Sequence, residues 1–397
     1  MRRFGTRAVR GDGEPASTPE PHISPLHQTT AFSFPTAREA IEAFAGSGYS
    51  YSRKANPTVR ELERHIAALE TSPVETDGET LHSPADTDAR FFGSGMAAIS
   101  GVILGVAAGR RLVCQAGIYG TTEAMVGRLP GYGVQVDFVP VGDLEALAEL
   151  VGRGEPPALV HIESPANPLL QLTDVRQASR IAHEVGAYLS IDATFATPAL
   201  IRPLAWGADL VLHSTTKFMS GYGVALGGVV SGSAELLARA VDPIRLNFGG
   251  IADPFGAWLT RLGLRTLDVR MDRHVANAES LVELLEDHPR IVRVFYPDPS
   301  ELPVQQLESG GPMLSFEVEG GESAALAVID ELSLITLAPT LGTVDTLVQH
   351  PYSMSHGVLP EARRREMGID PGILRLSVGL EDRSDLLEDL SEALSRA

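Results

Sequence analysis

Residues 208–217 read Ala-Asp-Leu-Val-Leu-His-Ser-Thr-Thr-Lys. The apolar run Leu210-Val-Leu predicts a short β-strand, and the three hydroxyl residues after it predict that this strand delivers Lys217 to a sheet edge. The lysine is unusual for this chain: of 32 Lys and Arg residues only Lys54 and Lys217 are lysines. Arg keeps its proton, whereas a desolvated Lys can lose it and condense with an aldehyde. Ser214 and Thr216, alternating beside that amine, are suited to anchoring a phosphate. An ordinary surface lysine is the competing reading, so the rest of the chain has to decide.

With 397 residues the chain can hold two or three domains, and 44% hydrophobic with 21% charged residues describes a soluble globular protein. The net charge of −19 argues against nucleic-acid binding. The one basic cluster, Arg363-Arg364-Arg365, is expected on a solvated helix face. Cys114 is the sole cysteine and sits in Leu-Val-Cys, so a core strand position is expected, with no disulfide framework and no metal site. The N-terminus lacks an apolar segment after Met-Arg-Arg, and no stretch is long enough to span a bilayer. The expected setting is the cytoplasm, with no membrane partner.

Residues 1–60, rich in Pro, Ser and Thr, predict an extended arm that packs on something else. Val59, Leu62, Ile66 and Leu69 then recur at helical spacing from Pro57. Residues 71–90 are acidic and turn-rich, with an Asp77-Gly78 turn, and predict an exposed loop or partly mobile insertion. Between Phe91 and Val230, short apolar runs alternate with helical stretches such as 143–152 and 175–185. That alternation predicts an α/β domain with a large, mainly parallel sheet, which binds ligands at the carboxyl ends of its strands. After Pro254 a long helical region and fewer strands predict a smaller α+β C-terminal domain. The expected division is an arm (1–60), a ligand-binding domain (61–255) and a C-terminal domain (256–397).

The strand ends carry the chemistry. Gly93-Ser-Gly95-Met96 precedes a good helix former, so backbone N–H groups can face an anion there. Tyr119 can stack on a flat heterocycle, and Asn167, in Glu163-Ser-Pro-Ala-Asn-Pro, can donate to a phenolic oxygen. Asp192, in Asp192-Ala-Thr194, is a carboxylate that a protonated pyridine nitrogen would satisfy, keeping the ring an electron sink. Tyr51 and Arg53 in the arm suit a phosphate. Arg375 on an apolar strand suits a substrate carboxylate, with a salt bridge to Glu381 or Asp382 as the structural alternative. Together these residues point to pyridoxal 5′-phosphate (PLP).

Tyr51-Ser-Arg53 with Asn56-Pro-Thr, Gly93-Ser-Gly-Met96, Tyr119-Gly, Glu163-Ser-Pro-Ala-Asn167-Pro, Asp192-Ala-Thr, His213-Ser-Thr-Thr-Lys217, His350-Pro and Arg375-Leu-Ser-Val-Gly resemble, in order, the Cys/Met-metabolism family of PLP enzymes. The similarity runs from about Thr6 to the C-terminus. It implies the aminotransferase-like type I fold and a homotetramer with shared active sites. It implies Lys217 as Schiff-base lysine, Asp192 with Thr194 at the pyridine nitrogen, Tyr119 stacked on the ring and active in catalysis, and Asn167 near the phenolic oxygen. Gly95, Met96, Ser214 and Thr216 would hold the phosphate, helped by Tyr51 and Arg53 of a neighbouring subunit. Arg375 and Thr340 would meet the amino-acid substrate.

Three stretches depart from the family pattern: Gly221-Tyr-Gly-Val224, Pro339-Thr-Leu-Gly-Thr343, and Thr121-Thr-Glu123 after Tyr119-Gly. They are expected around the substrate side chain. The resemblance implies γ-elimination or γ-replacement on an L-amino acid with a γ leaving group, such as an O-acylhomoserine or a cystathionine-like compound, and the three departures point instead to a non-standard amino acid of secondary metabolism, halogenated ones included. A β-lyase and a PLP-binding protein without turnover are the alternatives.

Overall fold

The computed structural model describes residues 2–11, 21–76 and 79–397. Fourteen strands are found among these residues. The first two, β1 (Val74–Thr76) and β2 (Glu79–Leu81), form an antiparallel pair. The expected loop at 71–90 is therefore partly sheet, and it ends in β3 (Thr87–Phe92), whose Ala89, Phe91 and Phe92 are buried. The turn expected at Asp77-Gly78 lies outside the described residues, as do residues 12–20 of the expected arm.

The central sheet contains β3, β4 (Arg111–Gln115), β5 (Gln135–Val139), β6 (Leu159–Glu163), β7 (Tyr188–Asp192), β8 (Leu210–His213) and β9 (Gly228–Ser233). Its order is β3-β9-β8-β7-β6-β4-β5. Strands β8, β7, β6, β4 and β5 are parallel, and β9 runs antiparallel between β8 and β3. Strands β4, β6 and β8 are buried at every residue. Their apolar runs are continuous rather than alternating because helices cover both faces.

Each covering helix follows from its sequence. Helix Pro57–Glu70 starts with Pro at its first position and with Asn56, whose side chain accepts from the N–H of Thr58. Its Leu62, Ile66 and Leu69 are fully buried, each contributing about 1.5–3 kcal/mol. Helix Val175–Glu184 buries Val175, Ala178, Ser179 and Ala182, one stripe at helical spacing, and Asp174 caps it.

The arm is less extended than its composition suggests. Phe4–Arg10 and Ala37–Glu42 are helical. Ala8 is fully buried, and Arg7 donates to the carbonyl of Ala68 at 2.5 Å and to Thr71 Oγ1 at 3.1 Å. The first turns of the chain thus pack on its own helix Pro57–Glu70.

A second sheet comprises β10 (Ile291–Phe295), β11 (Met313–Val318), β12 (Thr336–Leu337), β13 (Leu347–Gln349) and β14 (Ile373–Ser377), in the order β10-β11-β14-β13-β12. All of its pairings are antiparallel except β12 with β13. Helices Leu267–Glu286, Gly321–Glu331 and Arg383–Arg396 pack with it around Phe316, Leu374 and Leu376. Among the described residues no helix is long and apolar enough to cross a membrane.

Candidate active site

The carboxyl ends of β4, β6, β7 and β8 open into a cavity of about 580 Å3, closed from the other side by residues of the second sheet and its loops. Lys217, Asp192, Thr194, Tyr119, Asn167, Gly95, Met96, Ser214, Thr216, Arg375 and Thr340 all line it. Tyr51 and Arg53 do not. Both are exposed on the same chain, where Arg53 donates to the carbonyl of Leu246 at 3.1 Å.

Lys217 follows β8 by four residues, and its N–H donates to the carbonyl of Ser214 at 3.2 Å in a tight turn. Its Nζ donates to Thr340 Oγ1 at 3.0 Å. Burial, seconded by the charge of Arg375, pulls the amine from its usual value down to about 8. The Thr340 segment comes this close because of Gly342: a Cβ there would stand 2.8 Å from the carbonyl carbon of Lys217, and its φ is +78°.

Asp192 ends β7 and is buried. Its Oδ1 accepts from the Thr194 N–H at 3.0 Å and from Thr194 Oγ1 at 2.6 Å, which leaves Oδ2 for a donor in the cavity. Thr194 Oγ1 also accepts from the N–H of Ser214 at 2.8 Å, so one hydroxyl ties the end of β7 to the end of β8. Burial holds the Asp192 carboxyl above the usual range, opposed by the Thr194 hydrogen bonds and by His213. Glu163 stands level with it on β6 and is raised as well, by burial and then by Asp192.

At the other end, helix Gly95–Ala107 begins at Ser94, whose side chain accepts from the N–H of Ala97 at 3.1 Å. A Cβ at Gly95 would lie 2.8 Å from Ser214 Cβ, and a Cβ at Gly228 would collide with the Ser94 carbonyl. The helix start and Ser214 are thus pressed together into a cradle with no room for a side chain at position 95. The hydroxyl of Thr216 donates to the Gly227 carbonyl at 3.1 Å and accepts from the Gly227 N–H at 3.0 Å.

Arg375, on β14, makes neither of the salt bridges offered by its sequence neighbours. Glu381 instead accepts from Thr346, and Asp382 caps a helix through the Ser384 N–H. The guanidinium, buried at 3% exposure, donates from Nη1 to Asn167 Oδ1 at 2.6 Å and from Nη2 to Gln349 Oε1, and its Nε has no partner. Burial lowers it to about 10 against the pull of Glu163 and Tyr119. Asn167 therefore accepts from Arg375 through its side-chain oxygen.

The departures from the family pattern divide. Thr121, Pro339, Thr340 and Leu341 line the cavity. Tyr222 does not: its hydroxyl bonds Thr266 Oγ1 at 3.2 Å and its ring faces Arg270. Glu123 is buried beneath the rim, where it accepts from Arg363 at 2.5 Å and from the Gly117 N–H at 3.0 Å. Arg364 donates to the Tyr352 carbonyl, so two of the three arginines expected on a solvated face hold the chain together. Gln349 and Glu163 were not singled out from sequence. The signal for Glu163 was present, a charged residue closing a fully buried strand.

A partly buried amine lowered toward neutrality, a buried carboxylate with one free oxygen, and a glycine-lined helix start with a serine against it are the donor set for an aldehyde, a pyridinium and a phosphate. The residues fit PLP, and fold and site together define a PLP-dependent enzyme of type I fold. A family model described as Cys/Met metabolism PLP-dependent enzyme matches residues 5–395, and the chain belongs to that family. It is 37% identical to an O-succinylhomoserine sulfhydrylase of Pseudomonas aeruginosa, over 99% of this chain and 95% of that one. It is also 37% identical to an L-methionine gamma-lyase of Pseudomonas putida, over 98% and 97%. A cystathionine gamma synthase structure from Xanthomonas oryzae pv. oryzae superposes with a TM-score of 0.88 at 35% identity, covering 100% of this chain and 98% of that one.

Proposed function

We propose that this enzyme catalyses γ-elimination or γ-replacement on an L-amino acid bearing a leaving group on Cγ. The observation that carries the reading is the convergence of Lys217 and Arg375 on one cavity. The named activities of its relatives support the γ position.

When bound, PLP supplies the electron sink that makes the protons on Cα and then Cβ removable. The chain does the rest. Arg375, oriented by Asn167 and Gln349, takes the substrate carboxylate. Lys217 Nζ, brought down to about 8, would in its neutral form hold the aldehyde and would move the proton at Cα. Thr340 holds that amine in line. Tyr119, at the start of helix Gly120–Val126, offers its ring for stacking and its hydroxyl for returning a proton to the departing γ group. Asp192, positioned by Thr194, would hold the pyridinium. The phosphate would be held by Ser214 and Thr216 and by the first N–H groups of the helix at Gly95 and Met96.

Tyr51 and Arg53 serve the cavity of a neighbouring subunit in a homotetramer, which gives residues 1–60 the role of an arm beside a cofactor domain (61–255) and a C-terminal domain (256–397). The working compartment is the cytoplasm.

The test is incubation of the purified protein with O-acylhomoserines, cystathionine and other γ-substituted amino acids, with and without a thiol acceptor. 2-Oxobutyrate or a new thioether is the expected product. Pyruvate from cystathionine would replace the reading with β-elimination, and no turnover of any of them would end it.

A further inference from the structure

The mechanism leaves one buried carboxylate of the cavity unused. Glu163 closes β6 and is level with Asp192 on β7, a pairing of two acids that burial makes costly. Its two oxygens serve two different loops. Oε1 accepts from the N–H of Asn167 at 2.7 Å, in the loop after β6, and Oε2 accepts from the N–H of Tyr119 at 3.0 Å, in the loop after β4. Asn167 passes the constraint on, since its Oδ1 accepts from Arg375 Nη1 at 2.6 Å.

Building on the function proposed above, we propose that Glu163 is a positioning residue: its single anion fastens the Tyr119 loop to the Asn167 loop, and so sets the spacing between the Tyr119 ring and the Arg375 guanidinium. The chemistry requires the charge. Two N–H donors need two acceptor oxygens; an amide puts a donor where one acceptor must be, and a protonated carboxyl keeps only a weaker hydroxyl acceptor there, without the charge that strengthens both bonds.

The groups facing Glu163 decide when it is charged. Asp192 on β7 opposes its ionisation, while Arg375 on β14 and the Tyr119 and Asn167 N–H groups favour it. Cys114 on β4 stays a thiol, pushed up by burial and then by Glu123 and Glu163. A pyridinium paired with Asp192 would cancel the adjacent negative charge. Loading of the cofactor therefore secures the Glu163 anion, and with it the substrate-side loops, to lower pH than in the unloaded protein.

Two measurements test this. In Glu163→Gln with cofactor, KM for the amino acid is expected to rise about tenfold, the scale of one buried amide left without its acceptor, and kcat to fall with it because the Tyr119 loop is released too. Amide exchange by mass spectrometry should quicken together in peptides covering residues 116–122 and 164–169, with cofactor content unchanged. Glu163→Asp, which restores the charge, should recover part of the exchange protection. Wild-type KM and wild-type exchange in Glu163→Gln would overturn the proposal. Should that variant not fold, the wild-type protein suffices: protection of both peptides is expected to persist to lower pH in the loaded than in the unloaded form, and identical profiles would overturn it. A wild-type protein without turnover would sink the proposed function alone, because the exchange measurement does not depend on it.

Discussion

The amine of Lys217 donates to Thr340 Oγ1 at 3.0 Å, so the lysine that follows β8 is held by a hydroxyl from the segment between β12 and β13. The central sheet presents the amine and the C-terminal part aims it. Thr340→Val, which keeps the shape and removes the acceptor, should lower kcat about tenfold, the scale of one hydrogen bond to a charged or reacting group. Thr340→Ser should stay near the wild type. Equal loss in both variants would show that packing, rather than the hydroxyl, matters.

The position of Lys217 sets a pH dependence. Its amine is brought down to about 8, first by burial and then by Arg375. Below that pH the amine is protonated and cannot attack an aldehyde; above it the neutral form dominates. The rate at which unloaded protein captures PLP, followed by absorbance, should rise with pH through a midpoint near 8 and level off above it. In Arg375→Gln one positive charge is removed, so the midpoint should move upward. A wild-type midpoint at the ordinary lysine value would contradict the burial seen here.

Arg375 tests the substrate side. Lys at this position cannot reach Asn167 and Gln349 simultaneously with a planar fork. Arg375→Lys should therefore raise KM for the amino acid about 100-fold, in the range for a lost buried charge pairing. Gln349→Leu, which frees one donor but keeps the charge, should raise it less. Steady-state kinetics separate KM from kcat, and a fall confined to kcat would argue that the carboxylate binds elsewhere.

The sequence made the strand ends legible because a parallel sheet buried on both faces writes its strands as apolar runs. A polar residue that ends such a run, as Asp192 does, or that follows it in the next turn, as Lys217 does, stands at the edge where ligands bind. Contacts between distant segments were not legible. Arg375 bonds Asn167 from 208 positions away, and its sequence neighbours Glu381 and Asp382 were the wrong guide. Glu123 looked like a substrate-side departure, but its partner Arg363 lies 240 positions on. The antiparallel pair of β1 and β2 was hidden by acidic, turn-rich composition, since three-residue strands carry too little periodicity to read. Tyr51 and Arg53 matched the family pattern but lie outside the cavity of their own chain, which no local sequence signal announces.

A last prediction concerns stability behind the site. Glu70, the final residue of helix Pro57–Glu70, and His213, the final residue of β8, meet at 2.6 Å with both side chains fully buried. Their other polar atoms, Glu70 Oε2 and His213 Nδ1, have no partner. Removing one member leaves the other with no partner in a place water does not reach, so Glu70→Ala should destabilise the protein by about 3–5 kcal/mol. The Glu70→Leu/His213→Leu double variant should recover much of that loss, because an apolar pair of similar volume avoids the desolvation of both groups. Urea unfolding of the single and double variants decides the matter. Additive losses would mean that the pair does not act as a unit. Recovery of stability without recovery of PLP capture would show that a pairing costly to bury is kept for the Ser214–Lys217 turn it precedes.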